Sequence, residues 1–358
     1  MTETKDAPTI ALSQLSCALP QSNTDCILMA HGGGGRLTQR LLEEVFLPAF
    51  DNPLLSQSHD GAMFESEPGR LAFTTDAHVV RPWFFPGGNI GSLAVHGTVN
   101  DLLVCGAVPW LMSAAFILEE GFPLETLKKI TEAMKEAALL AQVSVVTGDT
   151  KVVDRGKGDG VFISTSAIGR IHPNVNIHPK RATVGDVVLL SGPIAAHGIA
   201  VLSAREELGL GSTIESDSAP LNSLLIPAFE QFGPHLHVLR DPTRGGVASA
   251  LNEIAQASKT HIELVESAIP IADPVRGACE LLGLDPLYVA NEGKVVAIVA
   301  PEIAPALLAL WQRIPGGEQA AIIGTVTAST EGLVTQKSAI GGTRVVDMMT
   351  GEQLPRIC

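Results

Sequence analysis

Residues 143–171, VSVVTGDTKVVDRGKGDGVFISTSAIGRI, contain two runs rich in β-branched residues, with a turn rich in glycine, aspartate and lysine between them. Such runs predict two β-strands joined by a loop. The segment just before them, residues 123–142, has apolar residues at helical spacing and a proline at its start, which predicts a helix. A helix beside extended strands indicates a domain of mixed α and β structure.

The second half of the chain repeats this mixture of elements. Strands are predicted where apolar residues run together, and helices where they recur at helical spacing. The segments are DVVLLSG at 186–192, VASALNEIAQAS at 247–258, KVVAIVA at 294–300 and AAIIGTVT at 320–327. We therefore predict two α/β domains.

A polar stretch with two prolines, residues 172–186, separates the two halves and predicts the domain boundary. We divide the chain into a leader at 1–25, an N-terminal domain at 26–175, a C-terminal domain at 176–340 and a tail at 341–358. The tail shows no helical or strand periodicity, so we expect it to be mobile.

The composition argues against several classes of protein. The 358 residues include 24 Lys and Arg against 38 Asp and Glu, and the formal net charge of −14 disfavours a nucleic-acid binder or a protein held on anionic lipid. The hydrophobic fraction of 46% is enough for sizeable cores. No run of about 18 apolar residues predicts a membrane span. Five scattered cysteines without a CxxC pair fit a reducing cytoplasm better than a disulfide framework.

Four aspartates in the first half of the chain are candidate metal ligands: Asp60, Asp76, Asp101 and Asp149. Asp76 and Asp149 follow apolar, strand-like segments, and ligands gather at such strand ends in α/β proteins. Mg²⁺ prefers carboxylate oxygens and usually bridges them to the phosphates of a substrate. The alternative for each residue is an aspartate that only forms a turn or caps a helix.

Two glycine-containing turns, each directly before a predicted helix, are candidate phosphate-binding sites. Their residues are Gly33, Gly34 and Gly35 in the first turn, and Asp241, Thr243, Arg244 and Gly245 in the second. Backbone N–H groups at a helix N-terminus suit a phosphate. Neither turn matches the P-loop or the dinucleotide-binding fingerprint, and both fit flexible turns equally well.

Three further residues carry reactive groups. Lys151, close to Asp149 and Thr150, could contact a phosphate or tune a nearby acid, although an exposed ion pair is commoner. Glu292 lies in a tight turn and could act as a base, although a solvated carboxylate is commoner. Cys358, the last residue, is either a reactive thiol on a segment that can move or a chance cysteine.

Several motifs taken together resemble the HypE family of hydrogenase maturation proteins, within the aminoimidazole-ribonucleotide-synthetase-like ATP-binding superfamily. They are HGGGGRLT, TTDAHVV, PWFFPGGNIGSLAVHGTVNDLLVCGA, GDTKVV, DPTRGGV, NEGK and the terminal PRIC, and they cover about residues 27–358. VND, GDTK and DPTRGG support only the superfamily, whereas PRIC resembles the tail that carries the reactive cysteine of HypE. Asn89 stands where we expect Asp in many relatives, so it is left out of the metal set.

The resemblance implies an activity and partners. HypF transfers a carbamoyl group to the thiol of the terminal cysteine, and the HypE protein then uses ATP to dehydrate this S-carboxamide to a thiocyanate. The cyano group passes to iron held by the HypC–HypD complex, on the way to the active site of NiFe hydrogenase. The resemblance also implies a homodimer in which the sheet of the N-terminal domain pairs with its twin.

The resemblance implies site residues as well. Metal and phosphate roles fall on Asp60, Asp76, Asp101 and Asp149 with Asn100 beside them, and ATP contacts fall on the two glycine turns and Thr150. Lys151 and Glu292 fall near the modified Cys358, and Glu292 is the best candidate for the base that removes the amide protons. The implied cofactors are ATP and Mg²⁺.

The sequence leaves two other functions open. One is an ATP-dependent small-molecule kinase or synthetase of the same superfamily, in which Cys358 is incidental. The other is a non-catalytic adaptor whose tail docks on partners. ATP turnover with and without a carbamoylated tail distinguishes the three, because a kinase turns over with a free acceptor and an adaptor does not turn over.

Overall fold

The structure is a computed structural model, and it describes residues 25–33, 35–57, 61–65, 68–205, 214–329 and 331–348. These residues form a four-stranded sheet, a seven-stranded sheet and a two-stranded ribbon. Helices and strands are mixed in both halves of the chain. The prediction of a mixed α/β fold is therefore confirmed.

The first half of the chain forms the four-stranded sheet and its helices. The elements are α1 (Arg36–Leu41), α2 (Leu47–Phe50), β1 (Leu71–His78), β2 (Phe84–Phe85), β3 (Gly88–Asn89), α3 (Ile90–Val104), β4 (Ala107–Glu119), α4 (Leu124–Leu140), β5 (Ser144–Val153) and β6 (Val161–Ile171). The strand order is β1-β6-β4-β5. β4 and β5 are parallel, and the other two pairs are antiparallel. Strands β1 and β5 therefore form opposite edges of this sheet.

Helix α3 is buried along most of its length between the sheet, α4 and the second half of the chain. It begins after Asn89, whose side-chain oxygen accepts hydrogen bonds from the N–H groups of Gly91 (2.8 Å) and Ser92 (3.1 Å). An asparagine at this position satisfies N–H groups that have no partner within the helix. A Cβ on Gly91 would lie 2.3 Å from the carbonyl oxygen of Ile130, so glycine permits the close packing of α3 on α4.

The face of the four-stranded sheet opposite α3 carries exposed apolar side chains. Phe73 on β1 is 70% exposed, and Ile117 on β4 is also exposed. Ile117 pairs with Lys151, and Ala115 pairs with Asp149, so strand alternation turns these β5 side chains to the same face. We call this surface, defined by Phe73, Ile117, Asp149 and Lys151, the outward face.

The second half of the chain forms the seven-stranded sheet. The elements are β7 (Val187–Leu190), α5 (Ala196–Arg205), α6 (Asn222–Phe232), β8 (Leu236–Arg240), α7 (Gly246–Ser258), β9 (His261–Val265), α8 (Asp273–Leu282), β10 (Val296–Val299), α9 (Ala304–Trp311), β11 (Ala321–Thr327), β12 (Val334–Lys337) and β13 (Thr343–Val345). The strand order is β13-β12-β9-β11-β7-β10-β8. β9 and β12 are parallel, and the other neighbours are antiparallel.

The two halves share a hydrophobic core. One cluster of buried apolar side chains includes Leu103 and Met134 from the first half, and Leu225, Phe229 and Trp311 from the second. Shared burial of this kind fixes one half relative to the other, because separation would expose both surfaces to water. Residues from the two halves can therefore form one site.

Two segments differ from the sequence-based expectation. Residues 36–50, which resemble a single helix in sequence, contain a π-helical turn (Leu42–Phe46) between α1 and α2. Part of the predicted tail, β13, pairs with β12, and Val346 is buried, so the sheet anchors the chain up to this point. Among the described residues no helix has the length and apolar character needed to cross a membrane.

Candidate active site

Asp76 and Asp101 form the N-terminal part of the site. Asp76 lies on β1, and Asp101 lies in the last turns of α3. Oγ1 of Thr74 donates a hydrogen bond to Oδ2 of Asp101 at 2.7 Å, which holds that carboxylate beside β1. Oδ2 of Asp76 lies 3.4 Å from Nε2 of the buried His78. Residues 74, 76 and 78 alternate along the strand and therefore share the face that packs on α3.

Asp241 and Glu292 form the C-terminal part. Asp241 directly follows β8, and the buried Glu292 precedes β10. Between the two parts lies Gly97 of α3, where a Cβ would be 3.2 Å from Oδ2 of Asp76 and 3.9 Å from Oε2 of Glu292. The missing side chain at Gly97 leaves space between carboxylates of the two halves. We call Asp76, Asp101, Asp241 and Glu292 the acidic cluster.

Asn100 connects α3 to the second half of the chain. Its Nδ2 donates to the carbonyl oxygens of Ala219 (3.0 Å) and Glu292 (3.2 Å). Its Oδ1 accepts from the N–H of Leu221 at 2.9 Å. Both ends of the Asn100 amide therefore contact protein atoms, and the residue fixes the backbone on which Glu292 lies.

The turn from Asp241 to Gly246 borders the acidic cluster. Gly245 and Gly246 have φ angles of +72° and +60°, which residues with a Cβ rarely adopt. The N–H of Gly246 donates to the carbonyl oxygen of Thr243 at 3.0 Å and closes the turn before α7. Burial lowers the pKa of His78, Asp76 raises it, and the positive charge of Arg244 lowers it, so Arg244 also lies near the cluster.

The pKa values of two carboxyl groups in the acidic cluster are raised. Burial, followed by repulsion from Asp241, Asp217 and Asp76, raises the pKa of Glu292 well above its ordinary value. Burial and the charge of Asp101 raise the pKa of Asp241 to about 7. Carboxylates in this state gain stability when a cation or a basic reactant comes between them. The site therefore has the electrostatic character expected for cation and proton chemistry.

Two residues of the site carry no signal in the sequence. His78 belongs to no ligand-like pair of histidines in the sequence, yet its Nε2 lies 3.4 Å from Oδ2 of Asp76. Asp217 lies in a stretch without apolar periodicity, yet its carboxylate is buried and repels Glu292. Only the packing of the TTDAHVV strand on α3 could have indicated that His78 belongs to the site.

The remaining predicted residues lie at the other edge of the four-stranded sheet. Asp149, Thr150 and Lys151 are on β5, and Nζ of Lys151 lies 2.6 Å from Oδ1 of Asp149. The first glycine turn lies beside them: a Cβ on Gly32 would be 2.6 Å from the backbone nitrogen of Val152. Gly33 and Gly35 follow Gly32 and lead into α1.

The expected convergence of Asp76, Asp101 and Asp149 does not occur within one copy of the chain. β1 and β5 are three strand spacings apart, roughly 14 Å. Asp76 faces α3, whereas Asp149 lies on the outward face. For the same reason Lys151 is not adjacent to Glu292 in one copy. The sequence could not show this, because it does not give the order of the strands.

Three predicted residues, Asp60, Gly34 and Cys358, lie outside the described residues. Within the part of the chain that the structure describes, no three His, Cys, Asp or Glu side chains form a ready-made metal site. Mg²⁺ commonly uses only one or two carboxylates together with waters and substrate phosphates. The donor set of the acidic cluster fits a cation of that kind.

Two family models match the chain. The N-terminal domain of AIR synthase related proteins matches residues 58–171, and the C-terminal domain of the same group matches residues 183–336. Solved thiamine monophosphate kinases share this fold at low identity: that of Aquifex aeolicus is 17% identical with a TM-score of 0.54, covering 82% of this chain and 96% of the kinase.

Relatives of much higher identity come from hydrogenase maturation. Carbamoyl dehydratase HypE of Azotobacter vinelandii is 53% identical over 330 residues, which cover 92% of this chain and 96% of the relative. Carbamoyl dehydratase HypE of Escherichia coli K12 is 45% identical over 337 residues, covering 93% and 99%.

Solved structures of hydrogenase maturation protein HypE also match. The structure of HypE in complex with ATP is 46% identical, with a TM-score of 0.89, over 92% of this chain and 99% of that protein. HypE in a HypE–HypF complex is 48% identical, with a TM-score of 0.76, over 86% and 99%. The chain belongs to the HypE family of hydrogenase maturation proteins.

Proposed function

We propose that this chain uses ATP to dehydrate an S-carboxamide on Cys358 to a thiocyanate, as the source of a cyanide ligand for hydrogenase iron. The chain is an enzyme, a carbamoyl dehydratase, because it belongs to the HypE family. Carbamoyl dehydratases of this family are 45–53% identical to it. The structural observation that carries the proposal is the buried Glu292, which faces Asp76 across the space at Gly97.

The chemistry requires an activated oxygen and a base. Transfer of the terminal phosphoryl group of ATP to the amide oxygen converts that oxygen into a leaving group, and ADP is released. Loss of phosphate and of the two amide protons then gives the nitrile of the thiocyanate. Glu292 has the position of a base that accepts these protons, and burial raises its pKa, which makes the carboxylate more basic than an exposed one. Its burial excludes water, which would otherwise hydrolyse the activated intermediate.

ATP binding is supported by the family, since a HypE structure at 46% identity is a complex with ATP. We propose that Mg²⁺ accompanies the nucleotide. Asp76, Asp101 and Asp241 are the residues that would hold it, and it would neutralise charge on the phosphates. Arg244 would offset phosphate charge from the turn before α7. The mutual repulsion of the cluster carboxylates supports a bound cation.

We also propose a homodimer that combines the two sets of predicted residues. The outward face exposes Phe73 and Ile117, and apolar side chains on such a face favour burial against a second copy. A two-fold axis along the strands over this face would bring β5 of one copy above β1 of the other. Asp149 and Lys151 of one copy would then lie beside the edge strand β1 of its partner, which carries Asp76 on its other face, and Thr150, Gly33 and Gly35 would extend the nucleotide site.

The partners follow from the same activity. A HypE relative at 48% identity forms a complex with HypF, which supports HypF as the source of the carbamoyl group. We propose the HypC–HypD complex as the acceptor of the cyano group and the cytoplasm as the location. Cys26, Cys105 and Cys279 are free thiols, and this fits a reducing compartment.

Intact-mass analysis of the full chain tests the proposal. Carbamoylated chain incubated with ATP and Mg²⁺ should lose the mass of one water, and chain incubated without ATP should not. About one ADP should form for each thiocyanate, because each dehydration uses one phosphoryl transfer. Transfer to a free small molecule, without any change in protein mass, would contradict the proposal.

A further inference from the structure

We propose that Asp217 is a positioning residue for Glu292, which it holds in the orientation that faces Asp76 across Gly97. The inference rests on the proposed function for the role of Glu292. It concerns a side chain that has no part in the chemistry described above.

Asp217 contacts both sides of the turn that carries Glu292. The N–H of Glu292 donates to Oδ1 of Asp217 at 3.3 Å. Oδ2 of Asp217 lies 3.8 Å from Nζ of Lys294, and the two side chains are only 6% and 11% exposed. One carboxylate therefore restrains residue 292 through its backbone and residue 294 through its charge.

The segment that carries Asp217, residues 214–221, is itself fixed on the first half of the chain. The N–H of Ser216 donates to the carbonyl oxygen of Pro86 at 2.8 Å. Oγ of Ser218 lies 3.0 Å from Nδ1 of the buried His96 on α3. A Cβ on Gly87 would lie 2.7 Å from the backbone nitrogen of Ser216, so the two backbones are in direct contact.

The same segment packs closely on the Glu292 turn. A Cβ on Gly293 would lie 1.9 Å from the carbonyl oxygen of Asp217, so only glycine permits this approach. Asn100 binds residues 219 and 221 of the segment as well as the carbonyl oxygen of Glu292. Segment 214–221 is therefore the connection through which α3 orients Glu292.

A structural role alone does not account for an aspartate at this position. Asparagine could accept the same N–H hydrogen bond without adding a negative charge to a buried acidic site. None of the residues that the structure describes donates a hydrogen bond to Oδ2 of Asp217, and Nζ of Lys294 lies 3.8 Å from it as the counter-ion. Replacing a buried ion pair by apolar residues of similar volume is often neutral for stability, so the pair is weak evidence for a purely stabilising role. The contribution that we assign to Asp217 is the double restraint on residues 292 and 294.

The test separates binding from chemistry in the full-length carbamoylated chain. Asp217→Ala loses both restraints, Asp217→Asn keeps the acceptor for the N–H of Glu292, and Glu215→Gln, at an exposed residue of the same segment, is the matched control. We expect ATP affinity within about threefold of wild type in all three. Single-turnover dehydration should fall at least about tenfold in Asp217→Ala and less in Asp217→Asn, because small misplacements of a catalytic group cost up to about 100-fold. Glu215→Gln should keep the wild-type rate.

The outcomes are distinct. A dehydration rate of Asp217→Ala within twofold of the wild-type rate overturns the inference. A loss of rate that is fully explained by the fraction of unfolded protein, measured by thermal melts, also overturns it. If Asp217→Ala does not fold, Asp217→Asn combined with Lys294→Met decides, since this pair keeps the shape without an unpaired buried charge. A rate at least about fivefold below wild type then supports the inference, and a smaller loss overturns it. Failure of the wild-type chain to dehydrate refutes the proposed function instead.

Discussion

Asn100 donates a hydrogen bond from Nδ2 to the carbonyl oxygen of Glu292 at 3.2 Å, although 192 positions separate the two residues in sequence. The bond joins α3, which carries Asp101 and Gly97, to the turn that presents the proposed base. Because both halves share one hydrophobic core, this contact lies within a fixed framework. The geometry at Gly97 is therefore a property of the folded chain, and single substitutions can test it.

Glu292→Gln should separate chemistry from nucleotide binding. Glutamine keeps the shape of the side chain and removes the basic carboxylate. Removal of a general base commonly lowers a rate by about 100-fold to 10,000-fold. The single-turnover rate of dehydration of a preloaded carboxamide should therefore fall by a factor in that range. ATP affinity, measured by calorimetry with Mg²⁺, should stay within about threefold. Glu125→Gln on α4 is the exposed control, and a normal rate in Glu292→Gln would remove Glu292 from the mechanism.

Gly97→Ala should reduce activity without destabilising the fold. Alanine in place of a helical glycine gains about 0.5–1 kcal/mol of unfolding free energy. The new methyl group, however, would lie 3.2 Å from both Oδ2 of Asp76 and Cε1 of His78. We expect a melting temperature equal to or above wild type, with dehydration slowed by about tenfold or more.

Gly277→Ala is the matched control for this substitution. Gly277 also lies inside a helix, α8, and a Cβ there would meet nothing within 4 Å. It should gain similar helix stability and keep full activity. Equal rates for Gly97→Ala and Gly277→Ala would show that the space at Gly97 is not used by the reaction.

The sequence predicts the elements of this fold better than it predicts their arrangement. Apolar periodicity indicates α4, β5 and β6 with bounds close to those of the structure, because each element buries one face or both. The strand order β1-β6-β4-β5 is not sequential, and periodicity carries no information about it. For this reason the separation of Asp149 from Asp76 could not be foreseen.

The site shows the same limit. Asp76, Asp101, Asp241 and Glu292 could be selected by residue type and by resemblance, but the convergence of the three aspartates around Glu292 depends on packing between distant segments. Asp217 has no local pattern at all. Its role arises from contacts with residues 292 and 294, which lie more than 70 positions away in sequence.

Mixed dimers test whether Lys151 acts across a homodimer. Glu292→Gln and Lys151→Met should each be inactive as homodimers. If each site combines Glu292 of one copy with Lys151 of the other, a dimer of one copy of each variant contains one intact site. It should recover about half of the wild-type activity per dimer, as the two-fold symmetry of such an assembly requires.

Co-expression with two different affinity tags gives the mixed dimer for this measurement. The control is Lys157→Met, in the turn after β5, used in the same experiment in place of Lys151→Met. The homodimer of Lys157→Met should be active. A mixed dimer without activity would contradict a shared site. A chain that is monomeric by light scattering would contradict the homodimer itself.

His96 should make the fold sensitive to acid. Burial lowers its pKa from 6.5 to about 4 in the folded chain, so the unfolded chain binds the proton more tightly. The corresponding stability is fully present above pH 6.5 and is lost progressively as the pH falls toward 4. This pKa difference corresponds to about 3 kcal/mol of unfolding free energy.

Urea denaturation of wild type and His96→Asn between pH 4 and pH 8 measures this contribution. The difference in unfolding free energy between the two should shift by up to about 3 kcal/mol in favour of the variant as the pH falls. His178→Asn is the control at an exposed histidine. Parallel curves for wild type and His96→Asn would show that His96 is not the residue responsible.

Cys358 should be the covalent acceptor, and the structure limits where it can act. The sheet anchors the chain up to the buried Val346, and the 12 residues that follow it, 347–358, end in Cys358. These 12 residues span at most about 40–43 Å when fully extended, so Cys358 must react within that distance of Val346.

A thiolate is a strong nucleophile even when a few per cent is ionised, and a serine hydroxyl is far weaker. Cys358→Ser should therefore fold and bind ATP yet gain no carbamoyl group. Peptide mass mapping after reaction with HypF measures this, with Cys26→Ser, Cys105→Ser and Cys279→Ser as controls that should still be labelled at residue 358. A carbamoyl group on one of those three cysteines, with Cys358 unmodified, would contradict the assignment and require a different acceptor for the dehydration.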